Sequence, residues 1–172
     1  MTAPTYRERL RREGAALAGA GAAGSVLLLA TTEEASRMPL NTAGQLAVVA
    51  GLLGFFAPRS ARRAIAAAEP VAPGDAGSGE PTPLWQHPLI VAGLTAVVVA
   101  PRRSDLPLTS GAGWDAGLRV TAGCLLVGLA QAVVMERIVA ADEARTGRRY
   151  VRLPGSRILR GTKLGYLRDE RV

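Results

Sequence analysis

The sequence is poor in the residues that usually build soluble cores and reactive sites. Aromatic residues make up 4% of its 172 residues. A soluble core of this size normally uses more of them, because each aromatic side chain buries a large area. The single cysteine, Cys124, excludes an intrachain disulfide. The single histidine, His87, has no second His and no Cys cluster beside it, so we expect no metal site.

Enzymatic motifs are also scarce in the sequence. A catalytic site needs several titratable side chains that converge, and no combination of nucleophile, base and metal ligands is visible. Residues 155–163, GSRILRGTK, differ from a phosphate-binding loop. That loop has four residues between its glycines and a Lys directly after the second. We therefore expect no enzymatic activity and no cofactor.

Four apolar blocks dominate the chain: residues 14–31, 43–57, 84–100 and 118–140. The first two are apolar at nearly every position and lack the one-sided stripe of a soluble amphipathic helix. About 17–19 helical residues span roughly 26–28 Å, close to a thin hydrocarbon core. The blocks predict an all-α integral membrane protein with four transmembrane helices arranged as two hairpins. The second and third blocks are marginal in length, and one of them could instead be re-entrant or interfacial.

The basic residues are unevenly distributed about these blocks. The formal net charge is +7, and Arg supplies every basic residue except Lys163. If both termini are cytoplasmic, four arginines fall on the outer side: Arg37, Arg102, Arg103 and Arg119. All other basic residues then face the cytoplasm, as the positive-inside rule requires. We therefore expect a multi-pass protein of the plasma membrane with both termini cytoplasmic.

This topology divides the chain into five regions. A basic N-terminus (1–13) precedes the first transmembrane hairpin (14–57), and a cytoplasmic loop (58–83) leads to the second hairpin (84–140) and the basic tail (141–172). In the loop, RSARRAIAAAE favours a helix on the inner leaflet. PVAPGDAGSGEPTP is typical of a flexible linker.

Three polar residues fall within or beside the apolar blocks and are candidates for helix packing or for lining a pathway: Gln45, Gln131 and Glu136. We favour packing, with Glu136 reaching the interface or pairing with an arginine, because an unpaired polar group in lipid is costly. Small residues at four-residue spacing predict helix contacts. They are Ala16, Ala20 and Gly24; Ala43, Ala47 and Gly51; and Gly128 and Ala132.

The tail begins where Gly147 is expected to end the fourth helix. Its candidate lipid-binding or partner-binding residues are Arg148, Arg149, Arg152, Arg157, Arg160 and Lys163. One interpretation is attraction to anionic lipids of the inner leaflet. Another is a protein-docking module, in which 150–153 and 157–159 form a small β-hairpin around Pro154-Gly155. Nucleic acid is the least favoured partner, because the sequence contains no recognised nucleic-acid module.

These observations favour a non-enzymatic accessory or scaffold component of the membrane, whose Arg-rich tail contacts the inner surface or a partner protein. The alternative is a small transporter or channel that acts as a homo-oligomer. In that case Gln131 and Glu136 would line the path.

Overall fold

The computed structural model describes residues 5–30, 40–72, 86–99, 111–153 and 163–168. Within these ranges the chain is mostly helical. The helices are α1 (Tyr6–Ala30), α2 (Leu40–Ala66), α3 (Gln86–Val99), α4 (Gly111–Leu129) and α5 (Glu136–Thr146). A π-helical segment, Ala130–Met135, joins α4 to α5. The strands β1 (Glu69–Pro70), β2 (Arg148–Arg152) and β3 (Leu164–Arg168) form one sheet.

Helix α1 begins with a capping box. The Thr5 amide donates to Glu8 Oε2 at 3.0 Å, and the Glu8 amide donates to Thr5 Oγ1 at 3.3 Å. These bonds occupy amide groups that have no carbonyl partner in the first turn of a helix. The cap therefore fixes the start of α1 and the placement of the arginines that follow it.

Helices α1 and α4 form the most extensive helix contact and run antiparallel. Glycine allows their backbones to approach closely. A Cβ atom placed on Gly21 would lie 2.5 Å from the Leu125 amide N and 2.6 Å from the Thr121 carbonyl O. A Cβ on Gly14 would lie 2.7 Å from the Gly128 carbonyl O. The contact thus depends on the absence of a side chain, as in closely packed membrane helices.

The small residues on this contact are partly those expected. The predicted Gly128 and Ala132 do face Gly14 of α1. On α1 the buried small residues are Gly14, Ala18 and Gly21, whereas the predicted Ala16, Ala20 and Gly24 are half-buried. Of these three, Gly24 does face α4, because a Cβ on it would lie 2.7 Å from Thr121 Cγ2. A strict four-residue spacing drifts around a helix that has 3.6 residues per turn, so the true face alternates steps of four and three.

Helix α2 presents its predicted small residues to the exterior. Ala43, Ala47 and Gly51 are exposed, and a Cβ on Gly51 would meet nothing within 4 Å. The expectation that they pack against a neighbouring helix is therefore wrong for the described part of the chain. Sequence spacing alone does not say which face of an apolar helix meets a partner.

Helix α2 is longer than the second apolar block. It runs through Pro58 to Ala66, so most of the expected surface helix, residues 59–69, is a direct continuation of α2. Beyond the proline, Arg59 folds back on the preceding turn. Its Nη1 donates to the Phe55 carbonyl O at 2.9 Å, and its guanidinium lies 3.4 Å from the centre of the Phe55 ring.

The helices bring the start of α1, the end of α2 and α5 to one end of the molecule. Thr42 at the start of α2 bonds Asp115 at the start of α4, and Ile65 near the end of α2 packs against the apolar cluster that includes Val139 of α5. Helix α2 is therefore parallel to the α4–α5 helix, while α1 is antiparallel to it. Helix α3 packs against α1 and α4. We call the shared end, residues 5–13, 59–72, 136–153 and 163–168, the basic end.

The sheet corrects the all-α prediction. Strands β2 and β3 are antiparallel, with Tyr150 opposite Tyr166, so the tail does form a two-stranded antiparallel pair. Its second strand is β3, and the predicted return strand, 157–159, lies outside the described residues. Strand β1, which lies in the loop 58–83 expected to be cytoplasmic, adds to β3 in parallel. The first residues of the expected flexible linker therefore belong to the sheet, because the Val71 amide donates to the Tyr166 carbonyl O at 3.1 Å.

In the part of the chain that the structure describes, two helices are long and apolar enough to cross a membrane, Tyr6–Ala30 and Asp115–Thr146. Helix α3 has 14 residues in the described part of the chain. Each apolar block falls on a helix where it is described. Membrane spanning by any of the helices stays a prediction.

Candidate functional site

The basic end contains a small apolar core under the sheet. Its buried members come from α1, α5, β2 and β3: Tyr6, Leu10, Val139, Tyr150 and Leu164. Val139 and Tyr150 have no exposed surface. Side chains at the end of α2, including Ile65, pack against this cluster. The tail is therefore folded onto three helix ends, because burying its apolar side chains removes a large area from water.

Tyr150 holds the sheet to α5. Its hydroxyl donates to Asp142 Oδ2 at 2.6 Å, and its amide donates to Glu143 Oε1 at 3.1 Å. The chain reverses between them at Gly147, whose φ of 65° lies in the left-handed region that glycine tolerates. The Gly147 amide donates to the Glu143 carbonyl O at 3.0 Å. The predicted helix end at Gly147 is confirmed.

The two carboxylates beside Tyr150, those of Asp142 and Glu143, lie beyond the apolar block 118–140, and their pKa values shift in opposite directions. The hydrogen bond from Tyr150, with help from Arg145, lowers the pKa of Asp142. Burial raises the pKa of Glu143, although the Tyr150 amide and nearby arginines oppose this. Burial and the Asp142 hydrogen bond raise the pKa of Tyr150 itself. Asp142 is thus the charge that stabilises the junction, while the charge of Glu143 is costly there.

An ion pair joins the start of α1 to the start of α5. Arg7 Nε lies 2.5 Å from Glu136 Oε1, and the Glu136 side chain is 14% exposed. The bond to Glu136 raises the pKa of Arg7. Glu136 therefore pairs with an arginine, as one of its expected roles required.

The predicted tail residues occupy different positions on the sheet. The Arg148 guanidinium lies 4.4 Å from the centre of the Tyr166 ring. Arg149 and Lys163 are exposed, and Arg152 is half-buried. Residues 157 and 160 lie outside the described part. The described residues form a folded basic surface, although their binding role stays a prediction.

The two glutamines lie apart from the basic end. Gln45 is exposed on α2. Gln131 is half-buried in the π-helical segment, where its carbonyl O accepts the Glu136 amide. Such segments often accompany functional sites, but here the segment also lies where Gly14 of α1 approaches Ala132 most closely. The altered turn therefore coincides with the close contact of α1.

A second polar cluster joins the starts of α2 and α4, and the sequence analysis did not predict it. Thr42, fully buried, donates to Asp115, which also pairs with Arg119 one turn later. The Asp115/Arg119 spacing was a visible signal for a helical ion pair. No local pattern pointed to Thr42, because it lies 73 residues away from Asp115. The cluster joins two helix starts, and no described residue hydrogen-bonds to Arg119 Nε.

Among the described residues, no group of three His, Cys, Asp or Glu side chains is placed to hold a metal ion. Comparisons with protein-family models, curated proteins and solved structures find no match. The function must therefore be argued from the surfaces and charges of the chain itself.

Proposed function

We propose that this chain is a non-enzymatic, multi-pass membrane protein whose helices cross the plasma membrane and whose folded basic end docks at the cytoplasmic surface. It would act as an accessory or scaffold component that holds anionic lipid or a partner protein there. The supporting observation is a broad exposed apolar surface on the helices, next to a strongly basic end.

The apolar surface extends over every long helix. Among the described residues, thirteen large hydrophobic side chains are exposed, led by Val26 at 65%, Leu27 at 64% and Val48 at 62%. In the apolar windows of the two candidate spans, 17% and 11% of residues are buried. A core helix of a soluble protein would be mostly buried, and soluble monomers rarely expose a large continuous apolar patch. Exposure of this apolar surface is favourable when lipid surrounds the helices.

The helix directions support the expected topology. Antiparallel α1 and parallel α2 put the start of α1, the end of α2 and α5 at the basic end. This end carries arginines from all three helices and from the sheet. A cytoplasmic placement of this end satisfies the positive-inside rule. Arginines near an anionic leaflet each contribute about 1 kcal/mol to attraction.

The membrane topology can be tested with single cysteines. Cys124→Ser removes the native thiol, and single cysteines are then introduced by Ser36→Cys, Ser104→Cys, Ala67→Cys or Ala144→Cys. We expect a membrane-impermeant maleimide to label 36 and 104 in intact cells, and 67 and 144 after permeabilisation. Release of the protein by alkaline carbonate would contradict membrane insertion. Labelling of 67 and 144 in intact cells would contradict the orientation.

Docking by the basic end needs a separate experiment. Arg62→Gln/Arg63→Gln and Arg149→Gln/Lys163→Gln remove exposed charge without touching the buried cluster. Protein purified in mild detergent should lose co-purifying anionic lipid or a partner protein in both variants. Matched variants on the exposed helix face, such as Val48→Ala, should retain them. Equal retention by all variants would contradict docking through this end.

A further inference from the structure

A pocket of about 530 Å³ opens between the start of α1, the start and middle of α5, and β2. It is lined by polar and charged residues: Thr5, Arg7, Glu8, Arg11, Glu136, Glu143 and Arg149. Two elements distant in sequence, α1 and β2, thus bring three arginines to one cavity, and α5 supplies two of its glutamates. The tail arginines considered in the sequence analysis include one of these, Arg149.

The three carboxylates of the pocket are engaged within the protein. Glu8 accepts the Thr5 amide in the helix cap. Glu136 is paired with Arg7. Glu143 accepts the Tyr150 amide where the sheet meets α5. The three glutamates therefore bind groups within the protein, and Arg7 is paired with one of them, Glu136.

Arg11 and Arg149 differ from Arg7. Both are exposed, and neither guanidinium forms a hydrogen bond or ion pair with a described residue, although the charge of Arg149 acts on Glu143. They line the same cavity from α1 and from β2. A guanidinium presents a planar fork of N–H donors that matches two oxygens of a phosphate group. Two such forks at one cavity suit an anion with several oxygens.

We propose that this pocket binds a phosphate group through Arg11 and Arg149. The three arginines and three glutamates balance in formal charge, so the pocket suits a phosphate of low charge, such as a phosphodiester, rather than a polyphosphate. A lipid headgroup and a soluble phosphate share this chemistry. The lipid source rests on the proposed membrane function, because Arg11 lies just before the apolar block 14–31 and would then be at headgroup depth.

The test uses the full chain purified in phosphate-free buffer and mild detergent. The pocket variant is Arg11→Gln/Arg149→Gln. The charge-matched control is Arg12→Gln/Arg137→Gln, which removes two exposed arginines of the same end from outside the pocket. Nanodiscs or vesicles of phosphatidylglycerol in phosphatidylcholine probe the lipid source. Glycerol phosphate and inorganic phosphate, titrated calorimetrically, probe the soluble source.

Saturable binding should weaken by about tenfold or more in the pocket variant, since each lost bond is to a charged group. The control should bind nearly as well as the unmodified chain. Saturation by lipid alone assigns a headgroup site, and saturation by glycerol phosphate assigns a soluble ligand. Equal weakening in both variants would overturn the proposal in favour of general attraction to the basic end. Absence of binding to every probe would also overturn it.

Two further measurements keep the outcome interpretable. Arg11→Lys retains the charge but removes the fork, and it should weaken binding measurably while the helical circular dichroism is unchanged. Cysteine labelling of the same variants reports membrane insertion separately. Normal insertion with unaltered binding in the pocket variant would refute the pocket alone. Phosphate binding by a chain that does not insert would refute the membrane function alone.

Discussion

The close contact between α1 and α4 leads to the sharpest prediction, which concerns Gly21→Ala. The new methyl carbon would lie 2.5 Å from the Leu125 amide N and 2.6 Å from the Thr121 carbonyl O. Both neighbours are backbone atoms, so no flexible side chain can move aside. Ordinary van der Waals contact begins near 3.4 Å. The two helices must therefore separate locally by nearly the difference between 2.5 Å and 3.4 Å.

The cost can be judged from that separation. A gap of about 0.5–1 Å forfeits a quarter to a half of the dispersion attraction between the facing atoms. Overpacking of this kind typically costs about 1–3 kcal/mol. The hydrogen bond from Ser25 Oγ to Thr121 Oγ1, 2.9 Å long, crosses the same contact and would be stretched. An interhelical bond of this type adds about 0.6 kcal/mol in a membrane. We expect a total loss of about 2–3 kcal/mol.

A matched control lies two residues away on the same helix. A Cβ on Gly19 would meet nothing within 4 Å. Gly19→Ala should therefore keep or slightly raise stability, because Ala favours a helix by up to about 1 kcal/mol over Gly in water. On α4, Gly128 and Gly123 offer the same comparison between a crowded position and an open one. A Cβ on Gly128 would lie 2.6 Å from the Gly14 carbonyl O, and one on Gly123 would meet nothing.

The assay is unfolding in mixed micelles with a rising fraction of denaturing detergent, followed by circular dichroism. Gly21→Ala and Gly128→Ala should unfold earlier than the unmodified chain, and Gly19→Ala and Gly123→Ala should not. The reasoning would be refuted if Gly21→Ala unfolded at the same detergent fraction as Gly19→Ala, and Gly128→Ala at the same fraction as Gly123→Ala. That result would mean that α1 and α4 do not approach with these faces in contact.

Three other substitutions test the polar contacts. Ser25→Ala removes the bond to Thr121 and should cost about 0.6 kcal/mol in a melt in detergent; an unchanged melt would refute that contact. Tyr150→Phe should cost about 1–2 kcal/mol at neutral pH. Folding lowers the pKa of Asp142, so the stability difference between Tyr150→Phe and the unmodified chain should be complete above pH 3.8, the ordinary pKa of Asp. It should fade as the pH falls below that value, and a pH-independent difference would argue against the bond. Glu143→Gln keeps the acceptor for the Tyr150 amide. Because burial raises the pKa of Glu143, the unmodified chain should gain stability relative to this variant as the pH falls from neutral towards 4.5, and the opposite slope would contradict the burial.

The helices were predictable because their signals are local. Uninterrupted apolar blocks identify helices, and Gly147 marks a helix end through its own freedom to adopt a positive φ. The face of each helix was less predictable. In a helix that is apolar all round, nothing in the sequence distinguishes the side that meets α4 from the side left exposed, as the misplaced stripe at Ala47 and Gly51 shows.

Long-range partners were the least predictable features. Pairing with an arginine was one of two expected roles of Glu136, and its partner, Arg7, lies 129 residues away. Strand β1 has two residues, one of them a proline, and nothing in that pair favours a strand. It forms because β3 presents a free edge beside the end of α2. The pocket combines residues from three elements, so its existence follows from the fold and from no single motif.

The sheet changes what removal of the tail would mean. Truncation after Gly147 removes Tyr150 and Leu164 from the apolar cluster and uncovers Tyr6 and Leu10 on α1. Loss of a buried aromatic alone costs about 3–5 kcal/mol. We therefore expect faster hydrogen exchange at residues 5–13 and 59–72 in the truncated chain. Full-length Arg149→Gln/Lys163→Gln should keep its protection, since both side chains are exposed. A truncated chain with unchanged exchange would mean that the tail does not fold onto the helix ends. Faster exchange would mean that partner loss on truncation reflects a damaged fold as well as lost charge, so point variants of the exposed arginines are the better test of docking.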